Sequence, residues 1–107
     1  SSDVCSSDLM RILLACGAGL STSILMKKME KYCEDKGEDL KIEAVPVGNV
    51  EGYQDEYDCI LIGPQVSYRL DELKQTLKIP VAGIPPLDYA VGNAENVMKL
   101  AHKTAGK

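Results

Sequence analysis

Several features common in proteins are missing from this 107-residue chain, and each absence narrows the reading. No apolar run approaches 18 residues, so nothing in it reads as a membrane span. No basic segment followed by an apolar one opens the chain, so no secretory signal is read there. Basic residues are not in excess: 12 Lys and Arg stand against 16 Asp and Glu, a net charge of −4. That balance argues against general nucleic-acid binding, which needs a basic face. Cysteine is present at 5, 16, 33 and 59, but no pair stands at CxxC or metal-ligand spacing. With no secretion signal beside them, these cysteines read as reduced thiols of a cytoplasmic protein. The one histidine, His102, has no second titratable group nearby in sequence to make it catalytic and reads as a surface residue near a helix end. No repeat or linker appears, so one domain is expected.

Residues 1–9, Ser-Ser-Asp-Val-Cys-Ser-Ser-Asp-Leu, repeat Ser-Ser-Asp and have no amphipathic period. They read as a disordered extension, appended or from a misread start, ahead of a domain over 10–107. Cys5 has no role that can be argued. Met10 opens the first patterned stretch.

That stretch, Met10–Ser23, carries the chemistry. Ile12–Ala15 is an apolar run of the length of a buried parallel strand. Cys16 follows, then Gly17, Ala18, Gly19 and Leu20, then the hydroxyl residues Ser21, Thr22 and Ser23, then a helical pattern from Ile24. A strand turning tightly into a helix leaves backbone N–H groups unpaired at the helix start. With the positive end of the helix dipole they form an anion site. Cys16 at its mouth is a candidate nucleophile, able to sit there as a thiolate or to carry a phosphate, and residues 17–23 are candidate phosphate ligands. The helix terminus supplies ~0.3–1, up to ~2, kcal/mol. Against about 1.4 kcal/mol per pH unit, the dipole alone lowers a thiol by about one pH unit. Loop amides and hydroxyls would supply the remainder. The alternative is that Cys16 is a small buried hydrophobe ending a strand.

The rest of the chain alternates strand and helix. Leu25, Met29, Tyr32 and Cys33, with Ile24, recur at helical spacing, predicting a helix from about Leu20 to Asp35, stopped by Gly37. Cys33 is expected in the core. Lys27, Lys28 and Lys31 form a small basic face, either simply solvated or able to steer an acidic partner. Leu40–Val47 alternates, with Ile42, Ala44 and Pro46 on one side, and Pro46 marks it as an edge strand. Asn49 is expected to cap a short helical turn. Tyr57–Ile62 reads as a buried strand ended by Gly63-Pro64, with Cys59 in the core. Val66, Leu70, Leu73 and Leu77 predict a helix capped by Ser67. Ile79–Ile84 is a fourth strand, Pro85-Pro86 an extended loop, and Ala94, Val97, Met98 and Ala101 a last helix capped by Asn93.

Four strands alternating with helices predict an α/β single domain: a four-stranded parallel sheet with helices on both faces. In the strand order 2-1-3-4 a crevice opens between the loops after the first and third strands. The candidate rim is then Pro64, Gln65, Tyr68, Asp88 and Tyr89.

Three phosphate signatures are excluded by position. Gly19 is followed by Leu20 and Ser21, without the lysine of a Walker loop. A dinucleotide fingerprint starting at Gly17 would need glycine at 22, and a Cys-x5-Arg phosphatase would need arginine there; the residue is Thr22. Without a guanidinium clamp the loop suits a phosphoryl that is held and passed on rather than transferred to water. Asp88 is the one candidate acid/base for a phosphatase, and equally a turn or cap residue.

Cys16-Gly-Ala-Gly-Leu-Ser-Thr-Ser23, Leu25 and Met29, Ile42-Glu-Ala44, and Leu61-Ile-Gly-Pro-Gln-Val-Ser-Tyr68 together resemble the enzyme IIB components of the phosphoenolpyruvate-dependent sugar phosphotransferase system, of the lactose/cellobiose (diacetylchitobiose) type. The resemblance covers about Met10 to His102. It implies a fold similar to the low-molecular-weight tyrosine phosphatases. It implies that Cys16 accepts a phosphoryl group from a phosphohistidine of a IIA partner and passes it to a sugar held by a membrane IIC permease. Residues 17–23 would cradle the phosphate, with Gln65 and Tyr68 beside it. No cofactor, metal or nucleic acid is implied, and the protein is expected in the bacterial cytoplasm, associating peripherally with the permease. The alternatives at this point are a cysteine-dependent low-molecular-weight phosphatase and a non-catalytic regulatory domain of the same fold. The Pro85-Pro86-Leu87-Asp88 loop does not match the family pattern closely.

Overall fold

The computed structural model describes residues 10–16 and 20–106; the side chains at 16 and 20–22 are outside the described set. Strands β1 (Met10–Cys16), β2 (Leu40–Pro46), β3 (Cys59–Ile62) and β4 (Val81–Gly83) form one sheet in the order β2-β1-β3-β4, with every pairing parallel. This is the expected order. Helix α1 (Leu20–Lys36) joins β1 to β2, and a 3₁₀ segment over Val47–Glu56 crosses behind β1 to reach β3. A second 3₁₀ segment, Pro64–Arg69, leads into α2 (Leu70–Thr76). After β4 come a short helix α3 (Pro86–Val91) and the last helix α4 (Ala94–Ala105).

The central strands are apolar on both faces, as strands covered on both sides must be. Ile12, Leu14, Cys59 and Leu61 face one layer, packing against Leu25, Met29 and Cys33 of α1 and Val97, Met98 and Ala101 of α4. Leu13, Ala15, Ile60 and Ile62 face the other, against Val50, Val66, Leu73 and Leu77. Cys33 and Cys59 are both buried in the core, as expected. At the start of β3 a clip sets the register: Asp58 accepts from the Arg11 backbone N–H and from its guanidinium, both at 3.1 Å.

Several local expectations need correction. Ile24 points outward, 61% exposed, although its spacing fits the buried stripe. Pro46 is likewise exposed, and it is Val45 that enters the core. The first 3₁₀ segment starts at Val47 with no side-chain cap, so Asn49 lies inside it. Ser67 is also interior to a 3₁₀ segment, where its hydroxyl donates to the Pro64 carbonyl at 3.1 Å. β3 and β4 are shorter than their apolar runs. Pro85-Pro86 is not an extended loop: Pro86 opens α3, where its missing N–H costs nothing. Gly37 stops α1 at φ +72, and Asn93 caps α4 by accepting from the Asn96 N–H at 3.2 Å, both as expected.

Candidate functional site

In a parallel sheet the carboxyl ends of all strands share one edge, and the crevice opens where the order reverses. β1 reaches that edge at Cys16, in register with Pro46, the last residue of β2. Beside it the Ala15 carbonyl accepts from the Gly63 N–H at 3.0 Å, and the Gly63 carbonyl accepts from Val66 at 3.1 Å. The chain leaving β3 therefore turns immediately next to the end of β1. Of the candidate phosphate ligands, Gly17, Ala18 and Gly19 lie outside the described residues, as do the side chains of Cys16, Leu20, Ser21 and Thr22; Ser23 is exposed on α1.

The rim is built around Gly63. A Cβ there would stand 2.9 Å from Gln65 Oε1 and 3.5 Å from the Tyr89 ring. Gln65 and Tyr89, two of the residues the sequence singled out, thus converge on one backbone position. They share an open groove of about 350 Å³ with Ile24, Leu25 and Lys28 of α1 and with Val91 of α3. All of these segments follow strand carboxyl ends, which places the groove at the Cys16 edge of the sheet. Pro64 starts the turn that carries Gln65.

Tyr68 and Asp88 are not in the groove lining. Tyr68 is 80% exposed on the second 3₁₀ segment. Asp88 is a brace between α3 and α4: its carboxylate accepts from Asn96 Nδ2 at 3.1 Å, and its backbone carbonyl accepts from Asn93 at 2.9 Å. The turn or cap role weighed for it is the one its contacts serve.

Sequence reasoning did not mark Ile24 or Lys28 as wall residues. Ile24 is displayed rather than buried, and Lys28, one of three lysines of a seemingly solvated face, donates from Nζ to the Val91 carbonyl at 3.3 Å. Helix α3 had a readable signal, Pro at its first position and Gly92 just past its end. Cys33, a buried thiol of α1, is pushed up by burial first and by Glu38 second, which suits an inert packing residue. No helix among the described residues is long and apolar enough to cross a membrane.

Comparison with known proteins agrees with this geometry. Residues 11–100 match the family described as PTS system, Lactose/Cellobiose specific IIB subunit. The oligo-beta-mannoside-specific EIIB component of the PTS system of Bacillus subtilis is 40% identical over 94 residues, an alignment covering 85% of this chain and 91% of that one. The cellobiose-specific EIIB component of Lactococcus lactis is 33% identical, covering 84% and 91%. The solution structure of the cellobiose-specific phosphotransferase IIB component from Borrelia burgdorferi superposes with a TM-score of 0.79 at 37% identity, covering 92% of this chain and 93% of that one. A strand order that juxtaposes β1 and β3, and a match spanning nearly the whole sheet, lead to the same conclusion: the chain belongs to the lactose/cellobiose-specific IIB family of the phosphotransferase system, whose members are the phosphotransferase components that act in sugar uptake.

Proposed function

We propose that Cys16 is the phosphoryl carrier, accepting the group from a phosphohistidine of a IIA protein and passing it to a β-linked disaccharide of the cellobiose, chitobiose or lactose class held by a membrane IIC permease. The observation that carries this is the end of β1 at Cys16 beside the Gly63 turn, on the edge where α1 begins. The thiolate attacks phosphorus as the P–N bond to the donor imidazole breaks, and the imidazole leaves with the bonding pair. Amides and hydroxyls of residues 17–23 hold the phosphate oxygens, so catalysis is positioning and electrostatics. Gln65 and Tyr89 converge on Gly63 at this edge, Pro64 sets the turn that carries Gln65, and the family resemblance puts Gln65 and Tyr68 beside the phosphate. The relatives named for oligo-beta-mannoside and cellobiose support a β-linked sugar. Hydrolysis would need an acid/base, and the Asp88 carboxylate already serves Asn96. The protein works in the cytoplasm, docking transiently at the permease.

Incubation with phosphoenolpyruvate, the general carrier proteins and the cognate IIA adds the mass of one phosphoryl group, and Cys16→Ser abolishes the gain. Retention of the modification in Cys16→Ser overturns the assignment.

A further inference from the structure

We propose that Lys28 is a positioning residue for the phosphoryl site: it clasps α3 onto α1 and so fixes the groove wall and the seat of Tyr89 beside Gln65. The inference rests on the carrier reading above for its functional part only.

Helix α3 has six residues and none of them is buried. A helix this short has no stability of its own, so its place is set by tethers. One end is braced by Asp88 to Asn93 and Asn96. Across the groove the tether is Lys28, whose ammonium donates to the Val91 carbonyl at 3.3 Å, spanning 63 positions in sequence. That carbonyl belongs to the negative end of the helix, where a cation is favoured. A second, independent observation is the notch the lysine crosses. Gly92 ends α3 at φ +66, and a Cβ there would lie 2.8 Å from Lys28 Cδ and 3.0 Å from Nζ. In this position the lysine stem occupies the space that a side chain at 92 would take. Tyr89 belongs to the same helix and packs toward Gly63 and the core, so moving α3 moves the ring that shares the groove with Gln65. Ile24 and Val91, 61% and 57% exposed, lie on the two helices the clasp joins; its loss would spread them.

The test uses the full chain as wild type, Lys28→Met, which keeps an apolar stem without the charge, and Lys28→Arg. Amide hydrogen exchange at Gly92 and Asn93, whose N–H groups bond to Tyr89 and Asp88, reports α3 without any phosphoryl transfer. In Lys28→Met exchange at these amides rises about two- to five-fold, the factor a charge at a helix terminus is worth, while that of Val97 in α4 is unchanged. With phosphorylated IIA as donor, KM rises by a similar factor at nearly constant kcat, and Lys28→Arg restores both. Unchanged exchange overturns the clasp. Faster exchange with unchanged KM overturns its role at the site. A wild-type chain that takes no phosphoryl group sinks the carrier reading instead, and the exchange result still decides the clasp.

Discussion

At Gly63 the backbone is ordinary, with φ −72, and what excludes a side chain is the Gln65 amide 2.9 Å from where a Cβ would be. That oxygen ends a flexible side chain and can rotate away. At Gly92 the conformation itself is left-handed, φ +66, and Lys28 crosses directly over it. The two glycines therefore differ in what a methyl group costs: at 63 a side-chain displacement, at 92 a backbone penalty as well. Gly63→Ala is expected to change stability by less than about 1 kcal/mol yet to slow Cys16 phosphorylation by displacing Gln65. Gly92→Ala is expected to cost about 1 kcal/mol or more. Thermal melts beside a phosphorylation time course check both, and equal stability losses at the two positions would refute the distinction. The ends of β1 and β3, on which the proposed site rests, were legible because Cys16 closes an apolar run and Gly63-Pro64 closes another, both local signals. Lys28 and Ile24 were not, because their roles depend on a helix more than sixty residues away.

Among the elements, β1 and β3 were readable because burial on both faces leaves continuous apolar runs, and α4 because its apolar residues keep one stripe. α3 was hidden by the Pro-Pro pair, since a proline that breaks a helix from inside opens one from its first position. The entry to β3 is held by polar contacts that no periodicity reveals. Tyr57, 5% exposed, donates its hydroxyl to Glu43 Oε2 of β2 at 3.1 Å, tying the edge strand to the segment before β3. Burial first, and the bond to Glu43 second, push its phenol up from 10.0 to about 12. The folded state thus holds this proton more tightly than the unfolded state, so the contribution is complete below pH 10 and is lost as pH rises through about 12. Urea unfolding of wild type and Tyr57→Phe should differ most at pH 8 and converge toward pH 12, the wild type losing on the order of 1–2 kcal/mol more than the variant over that span. A constant difference between the two would remove the Tyr57–Glu43 tie as the cause.

For the molecule as a whole, the two side-chain layers are not independent modules, because β1 and β3 supply alternate residues to both. Ile60 and Leu61 are neighbours in sequence, fully buried, and face opposite layers. Truncating either to alanine leaves a cavity and costs roughly 2–5 kcal/mol, a large share of the ~5–15 kcal/mol that holds a domain together. The same two strands end at the site: β1 at Cys16 and β3 at the Gly63 turn. Damage to either layer therefore reaches the proposed phosphoryl site through the strand ends, so loss of one layer is expected to abolish phosphoryl transfer. Ile60→Ala and Leu61→Ala should each unfold in one cooperative step, with far-UV circular dichroism and labelling of the buried Cys33 thiol giving the same urea midpoint. Capacity to take a phosphoryl group should fall with that same midpoint in both variants. If Ile60→Ala, whose defect lies in the layer opposite Cys33, instead separated the two probes, the sheet would be transmitting less than its shared strands require.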